Sequence, residues 1–155
     1  MIEDVVTRSE QETEEFGRRV AGRLLPSDVV YVIGDLGAGK TCLARGVADG
    51  LGASPREVAS PSFAILHEYA ASSGVDGAGR EPTVRMRHLD LYRLKDSLRE
   101  LEVLGLPGSV AGAPVVVEWP GEAIARALPP TLEIRIAVLP DGARRIQVSG
   151  VRMRA

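Results

Sequence analysis

Five β-branched or aromatic apolar residues run without a polar break from Val29 to Ile33, and a second unbroken run, Val115-Val116-Val117, ends at Glu118. Short runs of this kind, bounded by turn residues, predict strands buried on both faces, as in the middle of a parallel sheet. Elsewhere the pattern alternates. Phe63–Tyr69, Val84–Tyr92, Thr131–Leu139 and Arg144–Val151 read as strands with one face on a core. The last two flank Pro140-Asp141-Gly142 and predict a C-terminal hairpin. Met1–Val6 is expected as a short edge strand.

Helical spacing fills the gaps. Ser9-Glu10-Gln11-Glu12 is a capping box, and Phe16, Val20, Leu24 and Leu25 form an apolar stripe behind it. The predicted helix runs to about Leu25, where Pro26-Ser27-Asp28 breaks it. A second amphipathic segment follows Ile33 and stops at Gly50-Leu51-Gly52. Two short helices are expected, one from Asp96 or Ser97 to about Leu104 and one from Gly121 to Leu128. Ser54–Ser62 reads as a polar loop and Gly105–Ala113 as a Gly/Pro loop. Ala70–Thr83, rich in Gly, Ser and Ala, reads as a long hairpin connection, with residues 71–83 a flexible surface loop. The order of elements predicts an α/β fold, with parallel strands at the centre and antiparallel strands at the margins.

The loop between the first buried strand and its helix carries the chemistry. Gly34-Asp35-Leu36-Gly37-Ala38-Gly39-Lys40-Thr41 has the P-loop spelling in the strand–loop–helix setting that spelling requires. Glycines let backbone N–H groups close around phosphate oxygens, and the following helix turns its positive end to the same anion. Leu36, Gly37, Ala38, Gly39, Lys40 and Thr41 are therefore the expected nucleotide-binding residues. Lys40 would reach the outer phosphates and the Thr41 hydroxyl would ligate Mg²⁺. The fold expectation becomes a three-layer P-loop NTPase type: a central mostly parallel sheet, antiparallel marginal strands and the C-terminal hairpin, all in one domain over residues 1–155.

Such a site needs a further acid at the end of a neighbouring strand. Glu118, directly after Val115-Val116-Val117, has that position. So does Asp90, in His88-Leu89-Asp90-Leu91-Tyr92-Arg93, where His88, Asp90 and Tyr92 share one strand face and Leu89 and Leu91 the other. Lys40, Asp90 and Glu118 are the candidate catalytic residues, and Thr41 and Glu118 the candidate metal ligands. Trp119, the single tryptophan, could stack on a purine. The N/T-K-x-D element that reads guanine is absent, because the chain has no Asn and Lys95 precedes Asp96 directly. Adenine is favoured by elimination. Cys42, in the first turn of the P-loop helix, reads as a small packed residue, although the helix dipole could lower a thiol pKa there.

Composition changes the picture only by exclusion. The 155 residues are 45% hydrophobic and carry a formal net charge of −2, so no global basic footprint for nucleic acid exists. The Arg144-Arg145 pair reads as a solvated face. One cysteine rules out an internal disulfide. No apolar run approaches membrane-spanning length and the first residues lack a signal-peptide pattern, so a cytoplasmic protein without membrane attachment is expected.

Read together, Gly34–Thr41, Leu43-Ala44-Arg45-Gly46, Ser60-Pro61-Ser62-Phe63, His88-Leu89-Asp90-Leu91-Tyr92-Arg93-Leu94 and Val117-Glu118-Trp119-Pro120 occur in an order and spacing that strongly resemble the TsaE (YjeE) family. These are bacterial ATPases of tRNA threonylcarbamoyladenosine synthesis. The resemblance covers about Val6 to Val151. It implies a small ATPase, weak in isolation, that binds ATP or ADP with Mg²⁺. It acts with the TsaD and TsaB proteins, which perform the transfer, and meets tRNA only through that complex. It implies Lys40 and Thr41 on phosphate and Mg²⁺, Glu118 on the metal, Trp119 beside the adenine, and Glu10 near the nucleotide. Asp90 would lie at the active centre, either as a support for the metal shell or as a group positioning the attacking water. Ser60–Phe63 looks like the switch that senses the γ-phosphate. Two departures stand out: Cys42 where the family has Thr or Ser, and Ser62 where it has Thr. The first puts a hydroxyl contact to the inner phosphate in doubt. Two other readings fit a P-loop: a kinase of a small molecule, and a nucleotide-gated binding module in which hydrolysis is incidental.

Overall fold

A computed structural model describes residues 2–54, 66–71, 83–92, 98–103, 105–106 and 108–150. Seven strands form one sheet: β1 (Glu3–Thr7), β2 (Val29–Ile33), β3 (Leu66–Ala70), β4 (Val84–Asp90), β5 (Val115–Glu118), β6 (Leu132–Val138) and β7 (Arg144–Gly150). The helices are α1 (Glu10–Ala21), α2 (Lys40–Gly50), α3 (Leu98–Val103) and α4 (Glu122–Ala127). The strand order is β1-β7-β6-β2-β5-β4-β3. β6, β2, β5 and β4 run parallel, while β1, β7 and β3 are antiparallel to their neighbours. The two unbroken apolar runs, β2 and β5, are thus central neighbours, which is why they show no polar alternation.

The central strands β2 and β5 divide their side chains between two cores. Val30, Val32, Val116, Ile134 and Ile136 pack with Phe16, Val20, Leu43 and Val47 of α1 and α2. Val29, Tyr31, Val115 and Val117 pack with Leu89, Ile124 and Leu128 on the other face. The result is three layers, helix on sheet on helix. The α1–α2 seam is close enough to forbid side chains: a β-carbon on Gly17 would stand 2.5 Å from the Leu43 carbonyl oxygen, and one on Gly46 would collide with the backbone of Glu14. These helices hold the P-loop from behind.

The capping box forms with a small shift. Ser9 Oγ accepts the Glu12 N–H at 3.1 Å, but the Glu12 carboxylate accepts the N–H of Arg8, one residue before the cap, at 2.6 Å. α1 ends at Ala21, earlier than Pro26 would require. Gly22 caps it, and Arg23 and Leu24 then donate to Val20 and Ala21 in tightened turns. The hairpin β6–β7 turns as expected. Gly142 N–H bonds to Leu139 O at 2.9 Å, Leu139 N–H bonds to Ala143 O at 2.8 Å, and Gly142 takes a φ of 86° that a β-carbon would strain.

β3 and β4 pair antiparallel, with Ala71 N–H reaching Thr83 O at 3.1 Å, so the 70–83 segment does join a hairpin. Its residues 72–82, the Ser60–Phe63 stretch, Arg93 and the expected cap at Asp96 or Ser97 lie outside the described residues. Among the described residues no helix is long and apolar enough to cross a membrane.

Candidate functional site

β2 delivers the chain to the site. Its last residue, Ile33, pairs with Arg135 of β6 and lies one step past Glu118, the carboxyl end of β5, and ligand crevices of parallel sheets open at such ends. Gly34 to Gly39 then wrap back to start α2. Gly37 and Gly39 take φ values of 77° and 106°, open to glycine and strained for other residues. Gly39 is the N-cap residue of α2, and neither a capping side chain nor an acid of the first turn meets that helix end. Helix N–H groups left without side-chain acceptors, at the positive end of the dipole, are a receptor for an anion.

Lys40 folds over this loop. Its Nζ donates to Gly34 O and Asp35 O, each at 2.7 Å, and lies 4.4 Å from the centre of the Trp119 ring. The side chain is nearly enclosed. Burial pushes the ammonium below the ordinary lysine value, against the pull of Glu118, Asp35 and Asp90. Glu118 and Asp90 are direct partners in the parallel β4–β5 register, so both carboxylates stand at the same level of adjacent strands. Glu118 is buried and Asp90 half-buried. Asp90 Oδ1 accepts the N–H of Tyr92 at 3.0 Å, closing the turn after β4. His88 Nε2 lies 2.9 Å from Glu118 Oε2, and the imidazole is completely buried.

Trp119 owes its place to backbone strain. It is the one non-glycine among the described residues with positive φ, at 57°. That conformation costs about 1–2 kcal/mol and turns the chain sharply after Glu118. The indole comes back over Lys40, and the exposed ring of Tyr92 meets it with centroids 5.0 Å apart. Strain of this kind persists where surrounding contacts over-determine it.

The remaining expected residues take up the rim. Leu36 is exposed at the tip of the loop, and Thr41 is half-buried in the first turn of α2. Glu10 begins α1 with an exposed side chain. Its carbonyl accepts Cys42 Sγ–H at 3.1 Å, which brings its backbone beside the P-loop helix. Cys42 is buried, and burial, with Glu14 and Glu10 nearby, raises the thiol pKa. The dipole does not win there, and the small packed residue is what the structure contains.

One expectation holds in half: Arg145 is exposed, as a solvated face requires, but Arg144 is half-buried and turned onto the loop. Arg145 reaches Asp4 of the neighbouring edge strand at 3.1 and 2.6 Å. Arg144, on the opposite face of the same strand, donates to Ala38 O at 2.9 Å and Gly37 O at 3.2 Å. Its contact spans 106 residues of sequence to Ala38, so no local pattern points to it.

The set suits a magnesium polyphosphate. Among the described residues no cluster of three or more His, Cys, Asp or Glu side chains could hold a metal alone. Mg²⁺ tolerates that, since it takes few protein ligands and draws the rest from phosphate and water. Hard oxygen donors, the Thr41 hydroxyl and the Glu118 carboxylate, flank a lysine and an uncapped helix end.

Comparison with known proteins shows the family and the fold. The family model described as "Threonylcarbamoyl adenosine biosynthesis protein TsaE" matches residues 7–146. A tRNA threonylcarbamoyladenosine biosynthesis protein TsaE of Treponema pallidum is 42% identical over 147 residues, covering 93% of this chain and 98% of its own. The Streptomyces coelicolor protein of the same name is 38% identical over 141 residues, covering 88% and 89%. Among solved structures, YdiB of Bacillus subtilis superposes with a TM-score of 0.66 at 28% identity, over 98% of this chain and 88% of that one. With its P-loop NTPase fold and a match across nearly its whole length, the chain belongs to the TsaE family of tRNA threonylcarbamoyladenosine biosynthesis proteins.

Proposed function

We propose that this protein is a Mg²⁺-dependent ATPase whose nucleotide state serves the TsaD–TsaB complex during threonylcarbamoylation of tRNA. The observation that carries the reading is the meeting of an uncapped α2 N-terminus and Lys40 with two carboxylates, Glu118 and Asp90, in register on adjacent strands. Loop amides and Lys40 would bind the β- and γ-phosphates, where their fixed dipoles stabilise charge as the phosphoryl group transfers. Thr41 and Glu118 would hold Mg²⁺, which when bound neutralises phosphate charge. Asp90 would orient water near the γ-phosphate or support the metal shell. Leu36 to Gly39 would line the phosphate path, and the Glu10 end of α1 would border the nucleotide beside Cys42.

Adenine rests on the missing guanine-reading element. Stacking of Trp119 on that base asks for a movement, because the ring now covers the ammonium that would meet the outer phosphates.

The test is ATP turnover by the pure protein with and without the TsaD–TsaB pair, with products resolved. Free phosphate, released slowly alone and faster with the pair, is the expected result. Phosphate recovered on a small acceptor would make it a kinase. Full support of the pair by Glu118→Ala and Lys40→Ala variants would reduce hydrolysis to an incidental activity.

A further inference from the structure

The P-loop is gripped from outside by the C-terminal hairpin, and Arg144 is the hand that grips it. Its guanidinium donates from Nε to Ala38 O at 2.9 Å, from one terminal nitrogen to Gly37 O at 3.2 Å, and from the other to Gly142 O at 2.5 Å. Three carbonyls on two distant segments share one planar fork, a geometry that lysine does not reproduce. Among the described residues no carboxylate pairs with Arg144, so its charge is turned toward the loop.

The position of these bonds decides what they do. In a trans peptide the carbonyl of one residue and the N–H of the next point opposite ways. A donor holding Ala38 O outward therefore fixes the Gly39 N–H group inward, while the Ala38 N–H closes the loop on Asp35 O at 3.1 Å. Gly37 and Gly39 have no β-carbon to hold them, and a β-carbon on Gly37 would meet nothing within 4 Å. Lys40 Nζ holds the Gly34 and Asp35 carbonyls, whereas the Gly37 and Ala38 carbonyls take their orientation from the hairpin. The hairpin that imposes it is itself fastened: Ala143 N–H bonds to Asp141 Oδ1 at 3.0 Å, and Asp141 pairs with Arg8, at the entry to α1, at 3.2 Å.

We infer that Arg144 is a positioning residue for phosphate binding, acting through the Gly37 and Ala38 carbonyls rather than by touching the nucleotide. The inference rests on the reading of Gly34–Thr41 as a phosphate site. Binding of Mg-ADP to the full-length protein, measured by calorimetry together with the melting temperature, tests it. Arg144→Ala should weaken Mg-ADP binding tenfold or more while the ligand-free protein still melts within a few degrees of wild type. Arg144→Lys should fall between the two, because an ammonium can serve one carbonyl of the pair. Arg145→Ala, which loses only the Asp4 pair, should bind Mg-ADP like wild type. A less than threefold loss of affinity in Arg144→Ala would overturn the inference, whatever the melting temperature. Should that variant not fold, Arg144→Lys decides, and affinity equal to wild type would overturn it. Failure of wild type itself to bind Mg-ADP would instead remove the phosphate-site reading.

Discussion

His88 Nε2 and Glu118 Oε2 stand 2.9 Å apart in the interior, with the ring wholly buried and the carboxylate nearly so. An ionised carboxylate only accepts, so it selects the tautomer with the proton on Nε2. The other nitrogen, Nδ1, is buried without a partner. The histidine thus spends its one ring donor on the acid expected to hold Mg²⁺, as supporting imidazoles and carboxylates do around metal sites.

His88→Ala should separate metal from nucleotide. Removal of a donor to a buried carboxylate costs about 1–3 kcal/mol of stability. ADP affinity measured in EDTA should stay within about threefold of wild type, while the gain in affinity on adding Mg²⁺ shrinks by about tenfold, in the 10–100-fold range typical of lost outer-shell partners. Calorimetric titrations with and without Mg²⁺ check this; an unchanged gain would confine His88 to packing.

Lys40 and Trp119 make a built-in reporter. The ammonium lies 4.4 Å from the indole centre, and phosphate oxygens would draw it off the ring. Mg-ADP should change Trp119 emission in the wild-type protein, the single tryptophan giving an unambiguous signal. In Lys40→Ala the response should vanish along with binding. An identical titration in both would place neither residue at the phosphates.

The α1–α2 seam predicts a stability effect far from the chemistry. Gly46→Ala puts a methyl group into the Glu14 backbone, and Gly17→Ala puts one 2.5 Å from Leu43 O. Backbone cannot step aside as a side chain can. Each should cost about 1–3 kcal/mol, the usual penalty of overpacking, visible as a lower urea midpoint. Gly52→Ala makes a useful contrast. Its β-carbon meets nothing within 4 Å, so any cost there comes from its φ of 85° alone.

Tyr31 sets a pH limit. Its hydroxyl donates to Leu128 O at 2.7 Å, and burial, helped by Glu133, pushes the phenol up to about 12. The unfolded chain ionises near 10. A folded pKa above the unfolded one means that the folded state holds the proton more tightly. This contribution is fully present below pH 10 and is lost as pH rises through about 12. Tyr31→Phe should lose about 1 kcal/mol at neutral pH from the missing hydrogen bond, yet show a flatter fall in stability above pH 10. Equal slopes for both proteins would show that Tyr31 does not govern this limit.

Much of the fold was legible because the deciding interactions are local. Val29–Ile33 and Val115–Val117 lack polar alternation since both faces of each strand are covered. Pro140-Asp141-Gly142 turns a hairpin for reasons contained in those three residues. Ser9 caps α1 through a bond to a residue three places on. The early end of α1 was less legible, because Gly22 competes with Pro26 as a stop and only packing against the sheet chooses between them.

The sequence by itself determined that a loop of P-loop spelling follows a buried strand, and that acids stand at the ends of neighbouring strands. Residue type and spacing suffice for that, since turn glycines, a helix start and strand ends are all local features. Tertiary structure decided what sits on each side of the loop. It put His88 against Glu118, laid Trp119 on Lys40 by a strained turn, and brought Arg144 onto the Gly37 and Ala38 carbonyls. These contacts join residues tens to a hundred positions apart, through strand order and register, and those are set by the packing of the whole sheet rather than by any stretch of it.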